Sequence, residues 1–485
     1  MKKPVLALLL LSLCAQVFSQ ESLRIFPSGT LYSAGGNVTV YPEGFVLEAG
    51  QKLFIDGEKE AVLRPGVNVV TLSDGSRLAE DTVRVVAASP SSRRLRVLCI
   101  GESTTATVSR NPWSGSTDDG WNWVSMMQTR AARDGADIVC LGTESLTGQA
   151  SYTAHGGWSA YTFLNWPCAA KIDPHAPSHF FKAEAMWYAL GLRSVTGEPY
   201  NGETRQHDLM ARTPFGKYHP DGDAVLWDFV REVSGTHGYP EFTGKGKYKG
   251  SAKQLAALEK WTLALADNPV NEFYSLEAAR SGDCAFSLEA YLERYRTMDD
   301  NGIRLPAVSE NPAGERVRGS DGKYYTIGSR IVTQALLKKV SVCAPTHVVV
   351  NIGINDGDSG TSVEVAAGAL SALMSCFGAL PCAHFVNRWP GACNPALWGP
   401  SFKPRQYGIN GNNTRVMAIL RLFREWASGR PNIDVLDVWH CQNPASQLEE
   451  KLQDGVLVCD KDDVHTGFSG QMSSSLQVLG WLYSR

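Results

Sequence analysis

Five short apolar runs constrain this chain more than any other feature. They are "RVLCI" (96–100), "DIVCLG" (137–142), "THVVVNIG" (346–353), "CAHFVN" (382–387) and "IDVLDVW" (433–439). None shows the strict polar–apolar alternation of a strand with one wet face, so each reads as a strand covered on both faces. Helix-period stretches stand between them, around 119–134, 361–377 and 412–427. Apolar strands alternating with helices predict an α/β fold built on a parallel sheet.

Two regions fall outside that pattern. Residues 22–88 carry β-branched runs ("NVTVY", "KLFIDG", "GVNVVTL", "TVRVVA") separated by glycine turns. They predict a small all-β module over 20–90, ending in the linker-like "ASPSSRR". From about 168 to 341 the alternation is interrupted by glycine-rich loops and amphipathic stretches such as "SAKQLAALEKWTLALAD". This reads as a long, largely helical insertion in an α/β domain over 91–485, expected to wall one side of its cleft.

The first 19 residues have two lysines, a short apolar run and Ser19 ahead of Gln20. They read as a secretory signal, which predicts a secreted or periplasmic protein. No later segment offers the roughly 18 uninterrupted apolar residues of a membrane span. Cys14 follows Leu13 rather than a small residue, which argues against a lipoprotein anchor there. Export permits disulfides. Cys376, Cys382 and Cys393 lie close in sequence and Cys441 and Cys459 bracket a loop, so one or two bridges are expected there. Cys99 and Cys140, inside apolar strands, are expected as buried thiols. No Cys-x-x-Cys pair exists, which disfavours zinc. With 46 basic and 49 acidic residues and no long run of one sign, binding to nucleic acid or an anionic membrane has no electrostatic support.

In an open α/β sheet, ligands bind outside the carboxyl ends of the strands. Gly101-Glu102-Ser103 follows the first run, and a loop reaching His155-Gly156-Gly157-Trp158 follows the second. Gly353-Ile354-Asn355-Asp356 follows the third, and Asp462-Asp463-Val464-His465 comes near the C-terminus. These residues make an acyl-transfer set. Ser103 is the candidate nucleophile, weak until a base takes its proton. His465 is the candidate base, oriented by Asp462 three residues earlier, with Asp463 as the rival acid. The amide N–H groups of Ser103 and Gly157 and the side-chain amide of Asn355 are the candidate oxyanion donors. His155 and Trp158 are candidate substrate contacts. A literal Gly-Asp-Ser stands at 357–359, but Ser359 trails the Asn355 block. It reads better as an N-cap for the helix that follows.

The four blocks together resemble the SGNH (GDSL-type) hydrolases, whose pattern is Gly-Asp-Ser, a glycine after the second strand, Gly-x-Asn-Asp and Asp-x-x-His. The "HGGWS" around Gly157 is similar to the Gly-Trp form of the carbohydrate-esterase branches. The resemblance covers roughly 95–167 and 341–485. Two departures stand out: Glu102 replaces the aspartate, and Gly142, Gly148 and Gly156 compete with Gly157. The resemblance implies a flavodoxin-like three-layer α/β/α domain and cofactor-free, metal-free ester hydrolysis through an acyl-serine. Its implied substrate is an O-acetylated polysaccharide or glycan. A lipase, arylesterase or thioesterase is the alternative within hydrolases. A glycan-binding protein on a hydrolase scaffold is the alternative outside them.

Overall fold

The computed structural model describes residues 22–47, 52–106, 121–142, 144–146, 150–165, 241–242, 248–249, 271–275, 277–278, 284–294, 315–318, 324–327, 344–358, 361–387, 413–443, 450–453, 456–459 and 465–485. The stretch expected as a signal (1–19), Cys393, Asp462, Asp463, Ser359 and Gly148 lie outside them. So does most of the stretch expected as an insertion, 168–341, where the described elements are the antiparallel pairs Glu241–Phe242/Tyr248–Lys249 and Glu315–Arg318/Tyr324–Ile327 and the helix Leu288–Arg294.

The core is a mostly parallel sheet. Its strands are β1 (Leu95–Glu102), β2 (Ile138–Leu141), β3 (Ala150–His155), β4 (His347–Asn351), β5 (Cys382–Phe385) and β6 (Ile433–Val435). β2 pairs with the first half of β1 and β3 with its last residues, while β4, β5 and β6 follow in turn on the other side, all parallel. The order therefore reverses between β1 and β4. A short antiparallel strand, Glu144–Leu146, borders β3.

Alternate residues of the apolar runs face opposite layers, as the two-residue strand period requires. Val97, Cys99, Val349, Ala383 and Phe385 pack with helix α1 (Trp123–Arg133). Leu98, Ile100, Val348, Val350 and Cys382 pack on the other face with α2 (Ala160–Asn165) and α3 (Val363–Ser375). Helix α4 (Asn413–Ala427) feeds Leu420 to the first layer and Phe423 to the second. The last helix, α5 (Phe468–Ser484), lies in the first layer through Val478, Trp481 and Leu482. Every residue of β4 and β5 is buried. No helix among the described residues is long and apolar enough to cross a membrane.

Residues 22–88 form a four-stranded sheet, Thr30–Ala34, Leu78–Ala88, Gly66–Ser73 and Phe54–Ile55 in that order, and a separate pair, Val38–Val40 with Ala61–Leu63. This part has its own apolar cluster, around Leu31, Phe45, Val70 and Val83. It is also bonded to the α/β part. The backbone N–H of Tyr32 donates to Gln477 Oε1 at 2.8 Å, and that of Tyr41 to the His440 carbonyl at 3.0 Å. Phe26 and Tyr32 join the cluster under α5. A Cβ on Gly480 would sit 2.5 Å from the backbone nitrogen of Ser33, so only glycine admits the first strand this close to α5.

Three expectations are corrected. The run at 433–439 is strand only to Val435, and Val438–Cys441 is a 3-10 turn packed under the N-terminal sheet. The stretch before His155 is not a loop but β3, buried throughout. The expected cysteine bridges do not form among the described thiols: Cys376, Cys382 and Cys441 are free. The Cys376 Sγ–H donates to the Ala372 carbonyl and the Cys382 Sγ–H to that of Leu380, so neighbours in sequence point to different partners. Cys99 and Cys140 are buried thiols, as expected.

Candidate active site

Ser103 begins a single helical turn, Ser103–Ala106, at the carboxyl end of β1. The turn folds back on its own strand because Gly101 has no side chain: a Cβ there would lie 2.1 Å from Thr105 Oγ1. Buried amides hold the turn from several sides. Asn351 Nδ2 donates to Thr104 Oγ1 at 3.0 Å and Thr105 Oγ1 at 2.8 Å. Asn122, the N-cap of α1, donates to the Thr105 carbonyl at 2.8 Å, and the Trp123 indole N–H to Thr105 Oγ1 at 3.0 Å.

Glu102, which stands in for the aspartate of the resemblance, is bonded to both the serine and the asparagine of the site. It is fully buried, and its Oε2 accepts the Ser103 hydroxyl at 2.8 Å, the Thr104 amide at 3.2 Å and Asn355 Nδ2 at 3.2 Å. Its Oε1 accepts the Thr104 hydroxyl. One carboxylate oxygen thus gathers the candidate nucleophile and a candidate oxyanion donor. The second hydrogen of the Asn355 amide goes to the Trp158 carbonyl at 2.9 Å. Asn355 opens the short helix Ile354–Asp358 just after β4, so Ser103 and Asn355 flank the point where the strand order reverses.

The glycine block lies beside them. His155 ends β3, directly across from Glu102. The Trp158 amide donates to the His155 carbonyl at 3.3 Å, closing a turn with Gly157 at φ +79°, a conformation that favours glycine. A Cβ on Gly156 would meet the Ser103 Cβ at 3.8 Å, so this turn overhangs the candidate nucleophile. Gly142, one of the rivals, is a packing glycine instead: a Cβ there would meet the Tyr152 backbone at 2.0 Å.

His155 and Trp158 are 3 % and 4 % exposed and lie against each other, tilted by 34°, with centroids 4.1 Å apart. They hold the turn from below rather than offer a face to substrate. His155 Nε2 lies 2.7 Å from Oε2 of the fully buried Glu272, which comes from the insertion. A carboxylate only accepts, so this nitrogen carries the hydrogen. Asp356 receives the Ala160 amide on both oxygens at 3.1 Å, tying the Asn355 turn to α2.

His465 is described and half-exposed, three residues before α5. Gln471 in α5 ties its segment to the Ser103 turn. Gln471 Nε2 donates to the Thr104 carbonyl at 3.0 Å and the Thr466 carbonyl at 3.5 Å, while Oε1 accepts the Trp123 amide at 2.9 Å. The residues directly after Ser103 and His465 thus share one amide nitrogen. Gln471, Glu272 and the role of Glu102 have no signature in the sequence. The rival serine's helix is capped by another residue: Ser362 Oγ accepts the Val365 amide at 3.2 Å.

Burial pushes the Asp356 carboxyl up from 3.8 to about 7, with the charge of Glu102 adding to it. Between about pH 4 and 7 the folded protein keeps a proton that the unfolded chain releases, so this group costs stability as pH rises through that window. Asp356→Asn is expected to remove the slope. In thermal melts the wild type should lose ground to the variant from pH 4 to 7, and the difference should level off above it. A difference independent of pH would contradict the assignment.

No family model and no curated protein matches the chain. Among solved structures, amylomaltase from Corynebacterium glutamicum aligns at 10 % identity with a TM-score of 0.11, over 77 % of this chain and 64 % of that one. The chain thus spans less than two thirds of that enzyme, and a likeness at this level carries no inference about fold or activity.

Proposed function

We propose that the protein is an exported serine esterase of the SGNH (GDSL-type) kind, with a flavodoxin-like sheet, that removes O-acetyl groups from a polysaccharide or glycan. The observation that carries the reading is the meeting of Ser103, Asn355 and the Gly156-Gly157 turn at the strand-order reversal, where an open α/β sheet binds its ligands. The bonds from Gln471 to the Thr104 and Thr466 carbonyls support a role for the neighbouring His465 at the same rim.

In this reading the ester carbonyl enters over Ser103, and His465, oriented by Asp462, takes the Ser103 proton as Oγ attacks the carbonyl carbon. The Asn355 amide turns from Glu102 to the developing oxyanion, joined by the N–H groups of Ser103 and Gly157. His465 returns the proton to the leaving sugar hydroxyl. Water, activated by the same histidine, then frees acetate and restores Ser103. Glu102 holds the hydroxyl and the amide ready between turnovers. The acetyl preference and the glycan rest on the Gly-Trp resemblance and the signal segment.

The test is acetate release from acetylated xylan, pectin and chitin oligomers beside turnover of p-nitrophenyl esters of increasing chain length. Acetate release with a steep fall beyond butyrate is expected. Turnover of long acyl esters without glycan deacetylation would replace the substrate assignment with a lipid or small-ester one. Binding of the glycans with no turnover of any ester would overturn the enzyme reading.

A further inference from the structure

A pair of thiols outside the site joins the insertion to the α/β layer. Cys284 lies in the insertion segment whose Ala285 amide donates to the Leu164 carbonyl at 2.6 Å, at the end of α2. Cys376 caps the C-terminus of α3. Both are half-buried against the same apolar cluster, and the residues beside them, Phe286 and Phe377, meet edge to face at 5.5 Å. The Cys376 thiol lies close enough to that of Cys284 to feel its charge. They are free thiols in this structure.

We propose that Cys284 and Cys376 form a disulfide when the protein meets an oxidising environment, stapling the insertion strip to the end of α3. The Cys284 thiolate attacks one sulfur of a disulfide carrier, R–S–S–R, and releases one R–S⁻. Cys376 then attacks the mixed disulfide at Cys284 and releases the second. The two protons from the cysteines end on the two R–SH products, so two thiols are oxidised and one carrier disulfide is reduced. Burial and the neighbouring Cys284 push the Cys376 thiol up to about 12, which fits a structural link rather than a reactive thiolate.

The staple has a use. The strip 284–287 is bonded to the segment that carries Glu272: the Ser275 amide donates to the Ala285 carbonyl at 2.7 Å and the Ser287 amide to the Phe273 carbonyl at 2.8 Å. The linked strip would therefore keep Glu272 against His155.

The second thiol pair is an internal control. Cys99 and Cys140 neighbour each other on β1 and β2 but are 0 % and 1 % exposed inside the sheet, beyond the reach of a carrier.

The test is made on full-length protein, both exported into an oxidising compartment and produced reduced and then treated with oxidised glutathione. After blocking with N-ethylmaleimide, non-reducing digestion and mass spectrometry should find a Cys284–Cys376 linked peptide in both preparations, with Cys99 and Cys140 unlinked. Reduction should lower Tm by roughly 5–10 °C, the scale expected for closing a loop this long, and Cys284→Ser should match the reduced wild type. Free Cys284 and Cys376 after both treatments, or Cys376 linked to Cys382 or Cys393, would overturn the proposal. The glutathione arm does not depend on export, and neither arm depends on esterase activity.

Discussion

Ser103→Ala is expected to lower p-nitrophenyl acetate turnover at least about 1,000-fold, because the acyl-enzyme route needs the hydroxyl that forms the ester bond. The fold should survive. Glu102 keeps the Thr104 amide and hydroxyl and the Asn355 amide as donors when the Ser103 hydroxyl is gone. Circular dichroism and Tm close to wild type should accompany the loss. An active Ser103→Ala enzyme would move the nucleophile elsewhere, and the first place to look would be Ser359.

Glu272→Ala is expected to be the most damaging single change among the site's supporting residues. It would leave His155, 3 % exposed, with its Nε2–H facing a vacated carboxylate position. Leaving a buried donor unsatisfied costs about 1–3 kcal/mol. The same change unpins the Gly156-Gly157 turn, so activity should fall while the protein is still folded. Glu272→Gln, which keeps an acceptor oxygen, should recover most of the stability. Denaturant unfolding of both variants beside kcat and KM at a temperature where each is folded is the check. Equal stability of the wild type and Glu272→Ala would show that the pair does not anchor the turn.

The parts of the fold legible in the sequence are those where burial on both faces wrote itself as an unbroken apolar run. β1, β4 and β5 are of that kind, while α1, α3 and α4 were legible from their helix-period apolar spacing. β3 was not legible. "ASYTAH" is small and polar, yet every residue is buried, because its polar groups find partners supplied by the tertiary fold. Thr153 Oγ1 lies 3.4 Å from the Tyr291 hydroxyl, for example. Strand-end logic picked out Ser103, Gly157 and Asn355. It did not see that Glu102 would hold Ser103 and Asn355 on one oxygen, since that depends on side-chain direction rather than position.

Glu272 and Gln471 were out of reach for a different reason. They act across 117 and 367 residues of chain, and nothing local marks them. Nearness in sequence also misled the cysteine reading. A bridge needs adjacent Cβ atoms with converging directions; Cys376 and Cys382 give their thiols to different carbonyls, while the segment around Cys284, distant in sequence, packs on the same apolar cluster as Cys376.

The central claim is that Ser103 is the nucleophile, and covalent trapping tests it most directly. A fluorophosphonate is attacked by an activated serine oxygen, which loses its proton as fluoride leaves and a stable phosphonate ester remains. Peptide mass spectrometry of the treated wild type should find one adduct, on the peptide holding "CIGESTT" and at Ser103, and none on the Ser103→Ala protein. An adduct at Ser359 or another serine, or an unmodified protein that still hydrolyses esters, would contradict the account.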